Sequence, residues 1–442
     1  MLIRKTHRTG TKAAPIGLYS MLDYTSNCEW IIHPATMGAY NMVAAKTIAI
    51  WVAVLVCGAG IVYFAEIDYG DVDNGDGNSS NSNFIRIVDG SGATITLSEP
   101  LTSVVTVNTN VPKAMKVLGL ADELKGLCFY TTSSDTDSKN YAEYKGMFTD
   151  PVHLPTAQSL TGEAVIAITG CKYVIAPVSS MTLSSTQETQ FNQLGITIIR
   201  LDCFGDTALE DLEKLTILFG GNKNPKMMGA YNSYLKMYND TVNAVKATVA
   251  ASGKSNETFL YYFGTAVNGG SFYNQTSGGS MMIEEIYGKN ALRNVLTSSN
   301  LISPTNPASA TGIKEVVIQE DQRNGINKIF IRGSSSTSAG DGTAMARGAL
   351  GIWKNISISE YGLSAVGNNE VYVFNTNIMS GMLSFAGWVA IAEVCGINTG
   401  LHIADLITAY NNAYGFNEPT NGYVFKMTGG NTGSIGFTEL TI

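Results

Sequence analysis

Polar and aromatic side chains directly follow several short apolar runs of this sequence, and they are its best candidates for chemistry. Ligands of open α/β sheets sit beyond the carboxyl ends of the strands, so residues placed there are the ones to consider. The candidates are Asn108, Thr109, Asn110, Tyr130, Ser179, Ser180, Phe204, Phe272, Tyr273, Ser334, Ser335, Asn377 and Met379. Hydroxyls and amides would orient a ligand, and the rings of Tyr130, Phe272 and Tyr273 would stack on a flat or bulky one.

The sequence lacks the residue patterns of common active sites and metal centres. It contains no G-x-S-x-G elbow, no HExxH and no Walker loop. Only His153 and His402 lie beyond residue 83, whereas a cage for free zinc or manganese needs more imidazoles. We therefore expect a protein that binds a ligand, with no enzymatic activity, no resident metal and no cofactor.

Composition also limits the possible partners. Hydrophobic residues make up 45% of the 442 residues, which indicates a folded protein, and only 14% are charged. The formal net charge is −8, and no basic run is interleaved with aromatic residues. Because contacts with phosphates need a basic face, the sequence argues against nucleic acid as a partner.

The elements that must position the candidate side chains are short apolar runs alternating with amphipathic helices, which is typical of an α/β fold. The strands expected from these runs include VVTVN (104–108), KYVIAP (172–177) and ITIIRLD (196–202), then TFLYYF (258–263), KIFIRG (328–333) and EVYVFNTN (370–377). Between the two groups, apolar residues recur at helical spacing from 225 to 252. The segment 264–280 has the composition of a loop.

These patterns predict two doubly wound α/β lobes bridged by a long helix. The expected division is an N-terminal lobe at 84–224, a bridging helix at 225–252, a C-terminal lobe at 253–416 and a polar tail at 417–442. A single-domain surface helix is the alternative for 225–252, but the α/β pattern that starts again after it favours a bridge.

An uncharged apolar stretch of 18 residues, 47–64, precedes the lobes and is long enough to span a bilayer. Basic residues dominate before it and acidic residues follow it, so we expect the N-terminal side in the cytoplasm and the lobes outside. A cleaved signal peptide, a lipoprotein signal at Cys57 and a retained transmembrane anchor all remain open, and the anchor is favoured. Residues 1–46 are then a cytoplasmic segment, or a mis-started one whose true start is Met42. Residues 65–83 form a flexible acidic linker.

Four of the six cysteines lie in the exterior part: Cys128, Cys171, Cys203 and Cys395. An exterior location permits a disulfide, but small buried hydrophobic residues are the favoured interpretation. The sequence does not decide the pairing.

Five segments follow one another in a distinctive order. They are FIRIVDGSGATITLSEPLTSVVTVNTNVPKAMKVLGLADELKGL (84–127), GEAVIAITGCKYVIAP (162–177), SMMIEEIYGKNA (280–291), NNEVYVFNTNIMSG (368–381) and DLITAYNNAYGF (405–416). Taken in this order, they resemble the substrate-binding proteins that deliver iron–siderophore complexes, haem or cobalamin to ABC permeases. The resemblance implies two lobes joined by one long helix, with an iron(III) chelate captured in the cleft and delivered to the permease. It leaves open a haem or cobalamin ligand, or a surface-anchored adhesion protein that kept the fold.

The resemblance also implies a docking site for the permease, made by one glutamate on the outer surface of each lobe. Glu284 or Glu285 occupies the matching helix of the C-terminal lobe. The matching position in the N-terminal lobe is Lys113, which departs from the family pattern. We therefore expect docking at Glu284 and Glu285, with Lys113 at the position of the second glutamate. The implied location is the extracytoplasmic face of the cell membrane.

Overall fold

The N-terminal part of the fold begins with a hairpin. The computed structural model describes residues 84–442 apart from 108–109, 129–147, 149–151, 155–156, 168–170, 179–182, 254, 266–268, 274, 276, 296–300, 303–306, 334–341 and 433. Strands β1 (Ile85–Val88) and β2 (Thr94–Leu97) pair antiparallel. The Asp89 carboxylate accepts hydrogen bonds from the backbone N–H groups of Ser91 and Ala93, which fixes the turn between the strands.

The N-lobe (residues 84–224) is built on a parallel sheet with the order β5-β4-β3-β6-β7. Its remaining elements are β3 (Val104–Thr106), α1 (Asn110–Val117), β4 (Leu124–Leu127), β5 (Val152–His153), α2 (Gly162–Ile166), β6 (Tyr173–Ala176), α3 (Ser185–Gln193), β7 (Thr197–Arg200) and α4 (Ala208–Leu218). Val105 and Val174 on neighbouring strands are fully buried, as expected for strands covered on both faces.

Helix α5 (Pro225–Ser252) follows as a single helix of 28 residues, about 42 Å long. Asn224 caps it by accepting a hydrogen bond from the N–H of Met227, and Pro225 occupies the first turn. The buried residues of α5 recur along one side: Met227, Tyr234, Thr241, Val242, Val245 and Val249. One apolar core extends from the N-lobe past α5 into the following lobe.

The C-lobe (residues 253–442) contains a mixed sheet with the order β11-β9-β8-β12-β13-β14-β15, and β10 lies beside β8. Its elements are β8 (Thr258–Thr265), β9 (Gly269–Tyr273), α6 (Gly278–Ile286), β10 (Lys289–Asn290), β11 (Leu301–Ile302), α7 (Pro307–Asn324), β12 (Ile326–Gly333), α8 (Gly342–Asn355), α9 (Ser364–Gly367), β13 (Val371–Asn375), α10 (Thr376–Met379), α11 (Ser384–Val394), α12 (Ile403–Tyr414), β14 (Val424–Thr428) and β15 (Gly436–Glu439). Strands β8, β12 and β13 are parallel, whereas β9, β11, β14 and β15 run antiparallel to their neighbours.

The segment 417–442 is not a polar tail, so that prediction is wrong. Strands β14 and β15 extend the C-lobe sheet beyond β13. Phe425, Met427 and Phe437 are buried in the C-lobe core. The apolar residues of these short strands alternate with polar ones, and Gly-rich turns surround the strands. The polar composition of the whole segment made this period-two pattern hard to recognise.

The α/β class, the parallel sheet and the long helix are confirmed. The expected membrane segment 47–64, the linker 65–83 and the N-terminal segment 1–46 lie outside the described residues. Within the part that the structure describes, every helix is too short or too polar to cross a membrane. The four cysteines beyond residue 83 are free thiols; Cys128, Cys171 and Cys203 are buried and Cys395 is half-buried.

An ionic cluster connects strand β14 with β12 and the start of β13 in the C-lobe sheet. The Glu370 carboxylate, immediately before β13, forms ion pairs with Lys328 of β12 and Lys426 of β14. The Tyr372 hydroxyl donates to the same carboxylate at 2.9 Å. Burial acts to raise the pKa of Glu370, but the hydrogen bonds from both lysines and from the tyrosine outweigh it and lower that pKa.

We predict that Glu370→Gln lowers the free energy of unfolding by about 1–2 kcal/mol at pH 7, because two lysines lose their shared anion. The pKa of Glu370 is lower in the folded chain than in the unfolded chain, where it is about 4.3. Its contribution to the free energy of unfolding is therefore present above the unfolded pKa and is lost as the pH falls through the folded pKa. Urea unfolding at pH 7 and pH 3 measures both effects. The exposed Glu360 provides a matched control, and equal losses for Glu370→Gln and Glu360→Gln would contradict the prediction.

Candidate functional site

A half-buried arginine lies where the two lobes meet. Arg332 is the penultimate residue of β12, at the carboxyl end of that parallel strand. Its guanidinium carbon lies 4.9 Å from the ring centroid of Phe204 in the N-lobe, 5.0 Å from that of Phe263 and 5.5 Å from that of Tyr273. These distances are within the range of cation–π attraction, so three rings hold the guanidinium in place.

The charge of Arg332 is not balanced by an ion pair among the described residues. Its Nη1 donates one long hydrogen bond, 3.3 Å, to the Ser380 hydroxyl. Its Nε is buried and has no hydrogen-bond partner in the described part of the chain. A guanidinium whose buried Nε has no hydrogen-bond partner among the described residues favours an anionic oxygen group supplied from outside the chain.

The same junction contains a small cavity lined by both polar and apolar residues. The polar residues around it come from both lobes and are Asn110, Lys113, Asn377, Ser380, Tyr410 and Glu418. The cavity has room for about one water molecule. It lies at the start of α1 and just after β13, which are the carboxyl-end positions expected from the sequence.

A glycine allows the lobes to approach at this point. Gly381 follows α10 with a φ of +76°, a conformation that favours glycine. A Cβ atom placed there would lie 3.8 Å from the Phe204 ring and 4.0 Å from the Asn110 Oδ1 atom of the N-lobe. Any larger side chain would therefore extend between the lobes.

Lys113 lies at the interlobe junction and is largely buried, and its docking role stays a prediction. Its Nζ atom forms an ion pair with Glu418 of the C-lobe at 2.8 Å, and the two side chains are 16% and 6% exposed. Asn411 fixes the backbone of Glu418 by bonding both its N–H and its carbonyl. Helix α1 is turned so that Lys113 faces the interlobe cavity, and its charge is neutralised there.

The two glutamates expected to dock the permease already have contacts within the chain. Glu284 is half-buried and accepts a hydrogen bond from the Asn290 N–H at 3.1 Å. Glu285 is exposed and pairs with Lys246 of α5 at 2.6 Å. An exposed pair of this kind is weak and can exchange partners. The docking role of Glu284 and Glu285 stays a prediction.

Asp206 makes a further contact between the lobes. Its carboxylate accepts a hydrogen bond from the N–H of Gly278, the first residue of α6, at 2.5 Å. Burial raises the pKa of Asp206, while this hydrogen bond and the charge of Arg332 act in the opposite direction. A Cβ atom at position 278 would lie 2.0 Å from the Asp206 oxygen, so only glycine permits the contact.

Three predicted ligand residues reach this junction. Phe204 contacts Arg332, and Asn110 and Asn377 line the cavity from opposite lobes. Tyr273 is 5% exposed and stacks on Tyr261 with a centroid distance of 4.5 Å, so it supports Arg332 from within the C-lobe. Their contact with a ligand stays a prediction.

Phe272 is a residue of the C-lobe core, and the prediction that it lines a cleft is wrong, whereas the contact of the buried Met379 with a ligand stays a prediction. Phe272 is fully buried and packs edge-on against Tyr262 with a centroid distance of 4.9 Å. The reason is that residues 269–273 form strand β9 of a hairpin, where alternate side chains point into the sheet's core, whereas a loop was expected. Met379 is 4% exposed and belongs to the core between the lobes.

Seven predicted residues lie outside the described part of the chain: Asn108, Thr109, Tyr130, Ser179, Ser180, Ser334 and Ser335. Two residues of the junction were missed, namely Arg332 and Asp206. A basic residue near the end of the apolar run KIFIRG was the available signal for Arg332, because a strand-end arginine needs a specific partner. No sequence signal singled out Asp206.

Comparison with known proteins supports the fold. Neither a protein-family model nor a curated protein matches the sequence. A solved structure of the TroA-like periplasmic binding protein FepB from Veillonella parvula matches with a TM-score of 0.54 and 17% identity, over 78% of this chain and 100% of that one. A second periplasmic binding protein from Veillonella parvula matches with a TM-score of 0.50 and 14% identity, over 70% of this chain and 97% of that one. The chain therefore has the fold of periplasmic substrate-binding proteins, as the sequence resemblance implied.

We predict that Gly278→Ala breaks the contact with Asp206, because the new methyl group and the carboxylate cannot occupy the same space. Hydrogen exchange of the first amides of α6 should become about tenfold faster, since they lose an acceptor from the other lobe. Gly229→Ala on α5, where nothing lies within 4 Å of the added atom, is the control and should leave this exchange unchanged. Exchange at α6 equal to that of the wild type would contradict the geometry.

Proposed function

We propose that this chain is the extracytoplasmic substrate-binding protein of an ABC importer, which captures an iron(III) chelate between its lobes and delivers it to the permease. The observation that carries the proposal is the half-buried Arg332, which lies between the lobes without an ion pair among the described residues. A binding site for an anionic ligand explains why this charge is placed there.

The chemistry of the junction suits such a ligand. Iron(III) chelates carry oxygen donors, and carboxylate or catecholate groups among them are anionic. A guanidinium binds such oxygens through two parallel N–H groups, and the Nε donor of Arg332 has no partner within the part of the chain that the structure describes. The rings of Phe204 and Tyr273 hold the guanidinium, so little side-chain freedom would be lost when a ligand binds.

The fold supports a position for the ligand between the lobes. Arg332 lies at the carboxyl end of the parallel strand β12 of the C-lobe, and Asn377 follows the parallel strand β13. Asn110 and Phe204 follow parallel strands of the N-lobe. Ligands of open α/β sheets bind at these ends. The solved structures with the same fold are of periplasmic binding proteins.

Binding without catalysis is part of the proposal. The thiol nearest to the junction is Cys203, which is fully buried. Burial raises its pKa well above the ordinary value, and the neighbouring Asp211 and Asp202 raise it further. Such a thiol stays protonated at neutral pH and is a poor nucleophile.

The proposed location follows from the N-terminal sequence. The apolar segment 47–64 would hold the chain in the membrane, as an anchor or as a signal, and the linker 65–83 would separate it from the lobes. Glu284 and Glu285 on α6 would face the permease, with Glu285 exchanging Lys246 for a basic partner there. Under this proposal, the chain's protein partners are the membrane components of the importer.

Haem and cobalamin are the alternative ligands. The propionates of haem and the phosphodiester of cobalamin are anionic, so either ligand would use the guanidinium as a siderophore would. A direct comparison of their binding therefore separates them, and the charge of Arg332 does not. A surface-anchored adhesion protein with this fold would bind none of these ligands.

The test is a binding titration of the full-length chain with iron(III) citrate, a ferric catecholate, a ferric hydroxamate, haemin and cyanocobalamin. We expect a ferric complex to bind, and Arg332→Gln to weaken it at least tenfold, the effect of losing about 1.4 kcal/mol of charged hydrogen bonding. Arg293→Gln removes an exposed arginine of the same lobe and should change nothing. Failure of every ferric complex to bind, or an affinity unchanged by Arg332→Gln, would overturn the proposal.

A further inference from the structure

One short turn of the N-lobe makes two contacts with the other lobe. This cross-lobe turn, Cys203–Thr207, follows β7 and leads into α4. Phe204 in it places its ring on the Arg332 guanidinium, and Asp206 accepts the hydrogen bond from Gly278. The shape of this turn therefore determines whether the proposed anion site is assembled.

The cross-lobe turn begins in an unfavourable backbone conformation. Cys203 has a φ of +49°, and it is not a glycine. Side chains disfavour this left-handed region, and such residues persist where the surrounding structure holds them. The next residue is Phe204, so the conformation of Cys203 sets the direction in which the Phe204 ring leaves the sheet.

A buried carboxylate holds the turn at both of its ends. Asp211 of α4 is 1% exposed. Its Oδ2 atom accepts hydrogen bonds from the N–H groups of Asp202 and Cys203, each at 2.9 Å, and from the Thr207 hydroxyl at 2.8 Å. Lys214 lies 3.7 Å from its other oxygen and balances the charge.

The bonding of Asp211 replaces an ordinary helix cap. Thr207 precedes α4 but its side chain accepts no hydrogen bond from the first turn of that helix. It donates instead to the Oδ2 atom of Asp211. The same oxygen atom therefore accepts hydrogen bonds from the start of α4 and from the residues that follow β7. A purely structural cap would use Thr207 itself as the acceptor.

We infer that Asp211 is a positioning residue for the proposed ligand site: it holds the cross-lobe turn in its strained shape, and thereby places Phe204 and Asp206 against the C-lobe. The inference rests on the proposed function for its ligand, but the shape of the turn can be measured without one. Asp211 has its effect through Cys203 and Thr207, and it does not line the interlobe cavity.

The test follows two quantities in the full-length chain: the dissociation constant for iron(III) citrate and hydrogen exchange of the Gly278 amide. Asp211→Ala should raise both the constant and the exchange rate about tenfold, since charged hydrogen bonds to the turn are lost. Asp211→Asn keeps an oxygen acceptor and should stay within about threefold of the wild type. Glu210→Ala removes the neighbouring exposed carboxylate, which also pairs with Lys214, and should change neither quantity.

A second-site variant separates positioning from general stability. Glycine adopts a positive φ without strain, so Cys203→Gly added to Asp211→Ala should restore both quantities to within about threefold of the wild type. A merely structural role for Asp211 predicts faster exchange throughout the N-lobe and no such rescue. If Asp211→Ala does not fold, Thr207→Val removes one of the three hydrogen bonds and should give a partial effect in the same direction.

The inference is overturned if Gly278 exchanges at the wild-type rate in Asp211→Ala, or if Cys203→Gly restores nothing. A wild-type chain that binds no ferric complex would remove the proposed function instead. In that event the exchange measurements still decide whether Asp211 shapes the cross-lobe turn.

Discussion

Helix α5 packs one apolar side against both lobes, and the geometry of the interlobe junction depends on it. Tyr234 near its middle is fully buried, and its hydroxyl donates to the Met382 carbonyl of the C-lobe at 3.1 Å. Val242 and Val245 continue the same buried side, and α11 packs along the helix. Because Met382 directly follows Gly381, this hydrogen bond also fixes the segment that faces Phe204. A continuous core of this kind holds the lobes at a defined separation.

Two cations lie at the junction, and their different environments account for different roles. Lys113 is paired with Glu418, a carboxylate that the chain itself positions through Asn411. A partly buried pair of this kind links the lobes and leaves no charge available to a ligand. Arg332 is placed against rings and one hydroxyl, without a carboxylate partner in the described part of the chain. One positive charge is thus paired with a carboxylate, whereas the other has no carboxylate within ion-pair distance among the described residues.

The sequence allowed much of this fold to be predicted, and the failures have physical causes. Buried parallel strands read as continuous apolar runs, so β6, β7, β8, β12 and β13 were recognisable, and the spacing along α5 was clear. Strand β9 was missed because its glycines and polar neighbours resemble a loop, and with it the buried position of Phe272. The hairpin of β14 and β15 was missed for the same reason.

The candidate site was predictable only where the strand-end rule applied. Asn110, Phe204 and Asn377 follow strands, and they reach the junction. Arg332 lies inside a strand, and it is distinguished by an Nε donor that has no hydrogen-bond partner among the described residues. Whether such a partner exists depends on residues distant in sequence, so the sequence alone could not reveal it. The ion pair of Lys113 could not be predicted either, because its partner Glu418 lies in the segment 417–442, which was expected to be a tail.

The proposed function requires an anionic ligand at Arg332, between the lobes. A crystal structure of the full-length chain, grown with the ferric complex that it binds most tightly, would locate that ligand. We expect an anionic oxygen of the complex within hydrogen-bonding distance of the Arg332 guanidinium, and contacts from both lobes. A complex bound elsewhere on the chain, with the guanidinium still unpaired, would contradict it.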